Sequence, residues 1–184
     1  MRTFIAVELP DEVRKNITEL INELKTTEAA VKWVEQQNLH ITLKFLGWVE
    51  DRKINEVMDL IKKAVEKTGS FKAKFAGLGT FPAGKTPRVV WVGVKDGSDR
   101  LTNLANALEK TLSQAGYRSQ EREFSSHVTI GRIKEKKGVD KLIAKISEFK
   151  SSEFGEAIVN HVDLMKSTLT PKGPIYEKIG EILL

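Results

Sequence analysis

Apolar and polar positions along the chain follow two periods, and the sequence switches between them several times. Residues 3 to 8 read as a short strand, and Pro10-Asp11-Glu12 then opens a helix whose apolar positions Val13, Ile17, Leu20, Ile21 and Leu24 recur at helical spacing. Val31 to Val34 is strand-like, and Leu39 to Leu46 alternates strictly. That alternation predicts Ile41, Leu43 and Phe45 on one face and His40, Thr42 and Lys44 on the other. A second amphipathic helix is predicted at about 51 to 66, through Ile54, Val57, Met58, Ile61 and Val65, with an extended stretch from Phe71 onward.

The second half repeats this order: strand at Val89 to Val94, helix through Leu101, Leu104, Leu108 and Leu112, strand at His127 to Ile130, and helix through Val139, Leu142, Ile143 and Ile146. His127 follows His40 by 87 positions, Leu101 follows Val13 by 88 and Val139 follows Ile54 by 85, so the offset is nearly constant. Such a period indicates an internal duplication. The expected organisation is one domain over 1–184, built from repeats at about 1–86 and 87–170. The remaining segment adds a strand near Val159 to Met165, a turn at Thr170-Pro171-Lys172-Gly173-Pro174 and a last strand from Ile175. Neither repeat has the continuous apolar runs of a parallel sheet buried on both faces. The expected fold is therefore α+β and bilobal, two antiparallel sheets each backed by helices, with their polar faces meeting across a central cleft.

Composition narrows the chemistry. There is no cysteine among the 184 residues, which removes disulfides, thiolate nucleophiles and cysteine-ligated metals from consideration. A net charge of +5 favours an anionic partner such as nucleic acid. The N-terminus does not read as a signal peptide and no apolar run reaches a membrane-spanning length, so a cytoplasmic monomer with no membrane partner is expected. The abundance of Lys, Arg and Glu without Cys points toward a thermophilic source.

The chain has three histidines, and two of them begin the same tripeptide, His40-Ile41-Thr42 and His127-Val128-Thr129. Residues two apart on a strand share a face, so each imidazole stands beside its own threonine hydroxyl. Two such strands facing across a cleft would offer a phosphodiester one base, one acid and two hydroxyl donors, without a metal. No His-Glu-x-x-His or His-x-His grouping accompanies either motif, so no metal and no cofactor are expected. His161 has no threonine at the same offset and is read as structural.

The wider context of the two motifs resembles the two-histidine phosphoesterases, specifically the RNA 2′,3′-cyclic phosphodiesterase or 2′-5′ RNA ligase branch. The matching segments are Phe4-Ile5-Ala6-Val7, Asn38 to Gly47, Pro87-Arg88-Val89-Val90-Trp91, Phe124 to Arg132, Ser167-Thr168-Leu169 and Gly173-Pro174-Ile175-Tyr176. Ser126 departs from the proline that usually precedes the second histidine of that family. The resemblance implies a bilobal fold with a positively charged cleft. It also implies opening of 2′,3′-cyclic phosphate ends of RNA, tRNA-like ends included, to 2′-phosphomonoesters. By analogy His40 would be the proton donor and His127 the proton acceptor, with the reverse assignment left open. Thr42, Thr129, Lys44 and Arg132 would bind substrate. Lys44 shares the face of His40 by alternation; Arg132 does not share that of His127 unless Gly131 supplies a bulge.

Two other patterns mislead. Gly79 to Thr86 fits the P-loop pattern letter for letter, but Pro87 and a β-branched run follow where that loop needs a helix. Lys95-Asp96-Gly97 lacks the spacer residue of a nucleotidyl-transfer lysine motif. The rival readings are a non-catalytic RNA-binding module with Phe81 and Trp91 as stacking residues, and a nucleotide-dependent ligase using the 79–86 loop.

Overall fold

The computed structural model describes all 184 residues. Nine strands and four α-helices follow one another as β1 (Arg2–Glu8), α1 (Asp11–Lys25), β2 (Val31–Trp33), β3 (His40–Trp48), α2 (Ile54–Val65), β4 (Phe71–Phe81), β5 (Val89–Val94), α3 (Ser98–Gln114), β6 (His127–Ile133), α4 (Val139–Glu148), β7 (Glu153–Val159), β8 (His161–Thr170) and β9 (Gly173–Leu183). α1 and α3 bury the stripes their spacing predicts, Val13, Ile17, Leu20, Ile21 and Leu24 in α1 and Leu101, Leu104, Leu108 and Leu112 in α3, while Ile54 and Met58 of α2 and Ile143 of α4 are only partly buried. The single strand expected near Val159 to Met165 is two, β7 and β8, separated at Asn160.

Every strand pair is antiparallel, and the strands form two sheets, ordered β3-β1-β8-β9 and β2-β6-β5-β4-β7. Set beside each other, β3-β1-β8-β9 and β6-β5-β4-β7 have the same order, with β1 answering to β5 and β3 to β6. Each sheet nevertheless draws on both halves of the chain. β4 leaves the first half to pair with β5, closing a local hairpin through residues 82 to 88, and β8 crosses from the second half to pair with β1. The hairpin is the lower-entropy closure, because its partner lies only a short loop away. The helices cross over too: α2 and α3 pack on the first sheet, at β9 and β3, while α1 and α4 pack on the second, at β7 and β4. One continuous cluster of 37 buried apolar residues joins both sheets to the helices. The opposite, polar faces carry His40 and His127 and look toward each other where β3 approaches β6.

Candidate active site

His40 is the first residue of β3 and His127 the first of β6, so each imidazole stands at a strand entrance, half-buried or more exposed, on the polar face of its sheet. The chain entering each strand fixes its ring in the same way. Nδ1 of His40 lies 2.7 Å from the Asn38 carbonyl, and Nδ1 of His127 lies 2.7 Å from the Ser125 carbonyl. A carbonyl oxygen only accepts, so Nδ1–H donates in both rings and the neutral tautomer leaves Nε2 unprotonated. The Asn38 side chain anchors the first of these turns by donating to the Pro174 carbonyl at 3.1 Å. Nε2 of His40 then accepts from the Thr42 hydroxyl at 2.8 Å. Thr129 shares the face of His127 and leaves its hydroxyl free for another acceptor.

Aromatic rings hold the imidazoles from the side. His40 lies 5.1 Å from the Phe4 ring and 5.3 Å, edge-on, from Tyr176, while His127 lies 5.4 Å, edge-on, from Phe81. Burial pushes the His40 pKa below its ordinary value; the Asn38 carbonyl opposes that shift, and the charges of Arg14 and His127 add to it. Burial also raises the pKa of Tyr176, and the charges of Arg132 and Arg2 pull against that.

Lys44 is not in the cleft. The β1–β3 ladder pairs Ile5 with Lys44 but Ala6 with Thr42, so Leu43 is an extra residue in a β-bulge. Beyond it the alternation inverts: Lys44 and Leu46 turn into the core and Phe45, expected there, turns out. Lys44 is 0% exposed, bonded to Glu109 of α3 at 2.5 Å and to the Arg118 carbonyl at 2.9 Å. The second motif has the same irregularity. Val90 pairs with Gly131 but Trp91 with Thr129, which makes Ile130 the extra residue and returns Arg132, exposed, to the face of His127. Gly131 is needed there because a Cβ would come within 2.7 Å of the Val31 and Trp33 side chains. The duplicated bulge thus turns Lys44 and its counterpart Gly131 inward, and Phe45 and its counterpart Arg132 outward.

The Gly79–Thr86 segment spans the end of β4 and a loop that leads into β5, so no helix N-terminus faces it. Its contribution to the site is Phe81. His161 lies on β8 with Nδ1–H donating to Asn160 Oδ1 at 2.6 Å and Nε2 3.5 Å from the buried Asp163 carboxylate. Glu8, His161 and Asp163 are the grouping whose ligand atoms, all within 4.8 Å of one another, could hold a metal. The Lys178 ammonium already stands among them, 3.1 Å from Glu8 and 3.2 Å from Asp163. Sequence reasoning named Phe4 and Tyr176 only within segments resembling the family and assigned neither to His40. Only the 87-residue correspondence of Asn38 with Ser125 was available in advance for the carbonyl anchors.

The arrangement can take a proton at one Nε2 and deliver one from the other, with hydroxyl and guanidinium donors between them. Residues 9–170 match the family model described as the 2′-5′ RNA ligase superfamily. The chain is 38% identical over 179 residues to the RNA 2′,3′-cyclic phosphodiesterase of Archaeoglobus fulgidus, covering 97% of this chain and 98% of that one. It is 39% identical over 182 residues to the protein of the same description from Thermotoga maritima, covering 98% and 94%. Among solved structures it resembles TT0787 of Thermus thermophilus, with a TM-score of 0.81 at 26% identity over 100% of this chain and 98% of that one. It also resembles E. coli LigT in complex with 3′-AMP, with a TM-score of 0.79 at 25% identity over 100% and 97%.

Proposed function

The chain belongs to the 2′-5′ RNA ligase superfamily, and from that premise we propose that it is an RNA 2′,3′-cyclic phosphodiesterase with His40 as proton donor and His127 as proton acceptor. The observation that carries the reading is the pair of imidazoles, each tied through Nδ1 to the carbonyl two residues earlier, at the starts of the two strands β3 and β6 that approach one another. Water attacks phosphorus as its proton passes to Nε2 of His127. The bond from phosphorus to O3′ breaks, O3′ takes the proton from Nε2 of His40, and a 2′-phosphomonoester remains. Thr42, Thr129 and Arg132 hold the phosphate oxygens. Rotation of the Thr42 hydroxyl from His40 to a phosphate oxygen frees Nε2 for its proton, and the incoming negative charge offsets the depression of the His40 pKa. A 5′ hydroxyl in place of water gives the 2′-5′ linkage by the same steps. No step calls for a metal or a nucleotide cofactor. The substrate is RNA with a cyclic phosphate end, tRNA-like ends included, met in the cytoplasm by a monomer.

The lowered pKa of His40 favours a second assignment, in which the neutral ring of His40 accepts the proton and His127 donates it. A cyclic substrate with sulfur in place of O3′ separates the two, because a thiolate leaves without an acid. It restores turnover to the variant lacking the donor and not to the variant lacking the acceptor. The function itself is tested by phosphorus NMR of the product. A 2′-monoester is expected, and a 3′-monoester, or no hydrolysis, overturns the reading.

A further inference from the structure

Two large aromatic side chains next to the site are left in water, Phe45 at 57% and Trp48 at 79% exposure. Neither is stranded there by chance of the alternation. The bulge at Leu43 turns Phe45 out of the core, and a second register shift, between the Thr3–Gly47 and Phe4–Phe45 pairs, precedes Trp48. Gly47 takes φ +76 to make that second irregularity, and nothing lies within 4 Å of where its Cβ would be, so the glycine serves the turn of the chain and not packing. The register then sets Phe45 against Phe4 and Trp48 against Arg2. Ring follows ring from His40 to Phe4 at 5.1 Å and from Phe4 to Phe45 at 6.0 Å.

The charge on this sheet face is polarised. At the Trp48 end stands Arg2, its partner in the β1–β3 register. At the other end Glu8, Asp163 and Glu181 converge on the single ammonium of Lys178. A polyanion leaving His40 is repelled at the acidic end and attracted at the arginine end. Exposed aromatic rings beside basic groups are what unpaired bases stack on, since every base has a π-face.

Resting on the cyclic phosphodiesterase reading, we propose that the single-stranded RNA 5′ of the cyclic phosphate leaves the site over the Phe45–Trp48 end of the first sheet, a base stacking on Trp48 and a phosphate paired with Arg2. Hydrolysis of a 2′,3′-cyclic mononucleotide and of a short single-stranded oligoribonucleotide ending in the same cyclic phosphate are compared in wild type and Trp48→Ala. KM for the oligonucleotide should rise roughly 5- to 100-fold, the loss expected of one stacked base, with KM for the mononucleotide unchanged. Trp48→Phe should restore most of the affinity. An oligonucleotide ending in a 2′-phosphate should quench the exposed tryptophan emission, and Trp48→Phe should abolish that quenching; this readout stands apart from turnover. Arg2→Gln should lower the slope of log affinity against log salt by about 0.7. Unchanged oligonucleotide KM in Trp48→Ala, equal losses on both substrates, or no quenching overturns the proposal, as does a change in Trp48 emission with protein concentration alone, which would mark the patch as a contact between copies. Failure of wild type to hydrolyse the mononucleotide counts against the cyclic phosphodiesterase reading, while quenching still decides the path of the strand.

Discussion

Lys44→Met tests whether the bulge at Leu43 has been read correctly. The side chain is fully enclosed, and its ammonium satisfies two groups, the Glu109 carboxylate at 2.5 Å and the Arg118 carbonyl at 2.9 Å. Methionine fills the space of the stem and removes the charge. Glu109, 27% exposed, can then reach water and keeps the Gln120 backbone N–H at 3.1 Å, so its charge is not stranded. The Arg118 carbonyl is left unpaired, at a cost of about 1–3 kcal/mol. Glu109→Ala is the harsher change, because it leaves an ammonium buried with only a carbonyl for company, and it should cost about 3–5 kcal/mol. Combined, the two substitutions should cost about as much as Lys44→Met alone, since a carboxylate without its ammonium contributes little. Urea unfolding of the four proteins measures this coupling, and steady-state hydrolysis of a cyclic phosphate substrate measures the rest. Folded Lys44→Met should keep wild-type kcat/KM. A lysine in the cleft would behave differently, because removing a donor to the reacting phosphate costs about 10²-fold or more in rate. Unchanged stability with a loss of that size, or strictly additive destabilisation by the two substitutions, would refute the buried pair.

Followed by proton NMR, His40 should titrate below the ordinary histidine range, and His127→Ala should move its midpoint upward by removing a neighbouring positive charge. Because the folded pKa lies below the unfolded value near 6.5, the unfolded state binds the extra proton first; stability should be full above that pH and fall as pH drops through the folded pKa. His40→Asn should flatten that part of the stability curve, and an unchanged slope would show that another group causes it. Gly131→Ala should destabilise the fold by about 1–3 kcal/mol, since its Cβ would meet Val31 and Trp33 at 2.7 Å. It should also raise KM by displacing Arg132; a thermal melt and KM that both match wild type would remove the bulge as the reason for a glycine at this position.

How far the site could be read from the sequence depended on distance from a bulge. The step from His40 to Thr42, or from His127 to Thr129, spans two residues of regular strand, and alternation there places both side chains on one face as expected. One residue further the ladder slips. Lys44 exchanges its expected place with Phe45, and Arg132 comes round to the side of its histidine. Alternation cannot foresee that, because a bulge is decided jointly with the partner strand, Ile5–Ala6 in one sheet and Val90–Trp91 in the other. The glycine at 131 was the one local hint, and at the equivalent position of the first repeat the residue is Lys44. Tyr176 reaches the edge of His40 from β9, and its segment, although it resembles the family, gives no sign of which residue it meets. The constant offset pointed to two equivalent units, and the lack of continuous apolar runs to two antiparallel sheets, which the strand pairing shows. It was silent on the exchange of β4 and β8, since equivalence in sequence says which elements correspond and not which ones pair.

The paired-histidine chemistry is tested most directly by turnover of an RNA ending in 2′,3′-cyclic phosphate, measured in EDTA for wild type, His40→Ala and His127→Ala, with RNA affinity followed in parallel. Wild type should turn over fully, and each variant should lose about 10²- to 10⁴-fold in kcat while binding RNA nearly as well. Full activity in either variant, or a wild type silenced by EDTA, would contradict it.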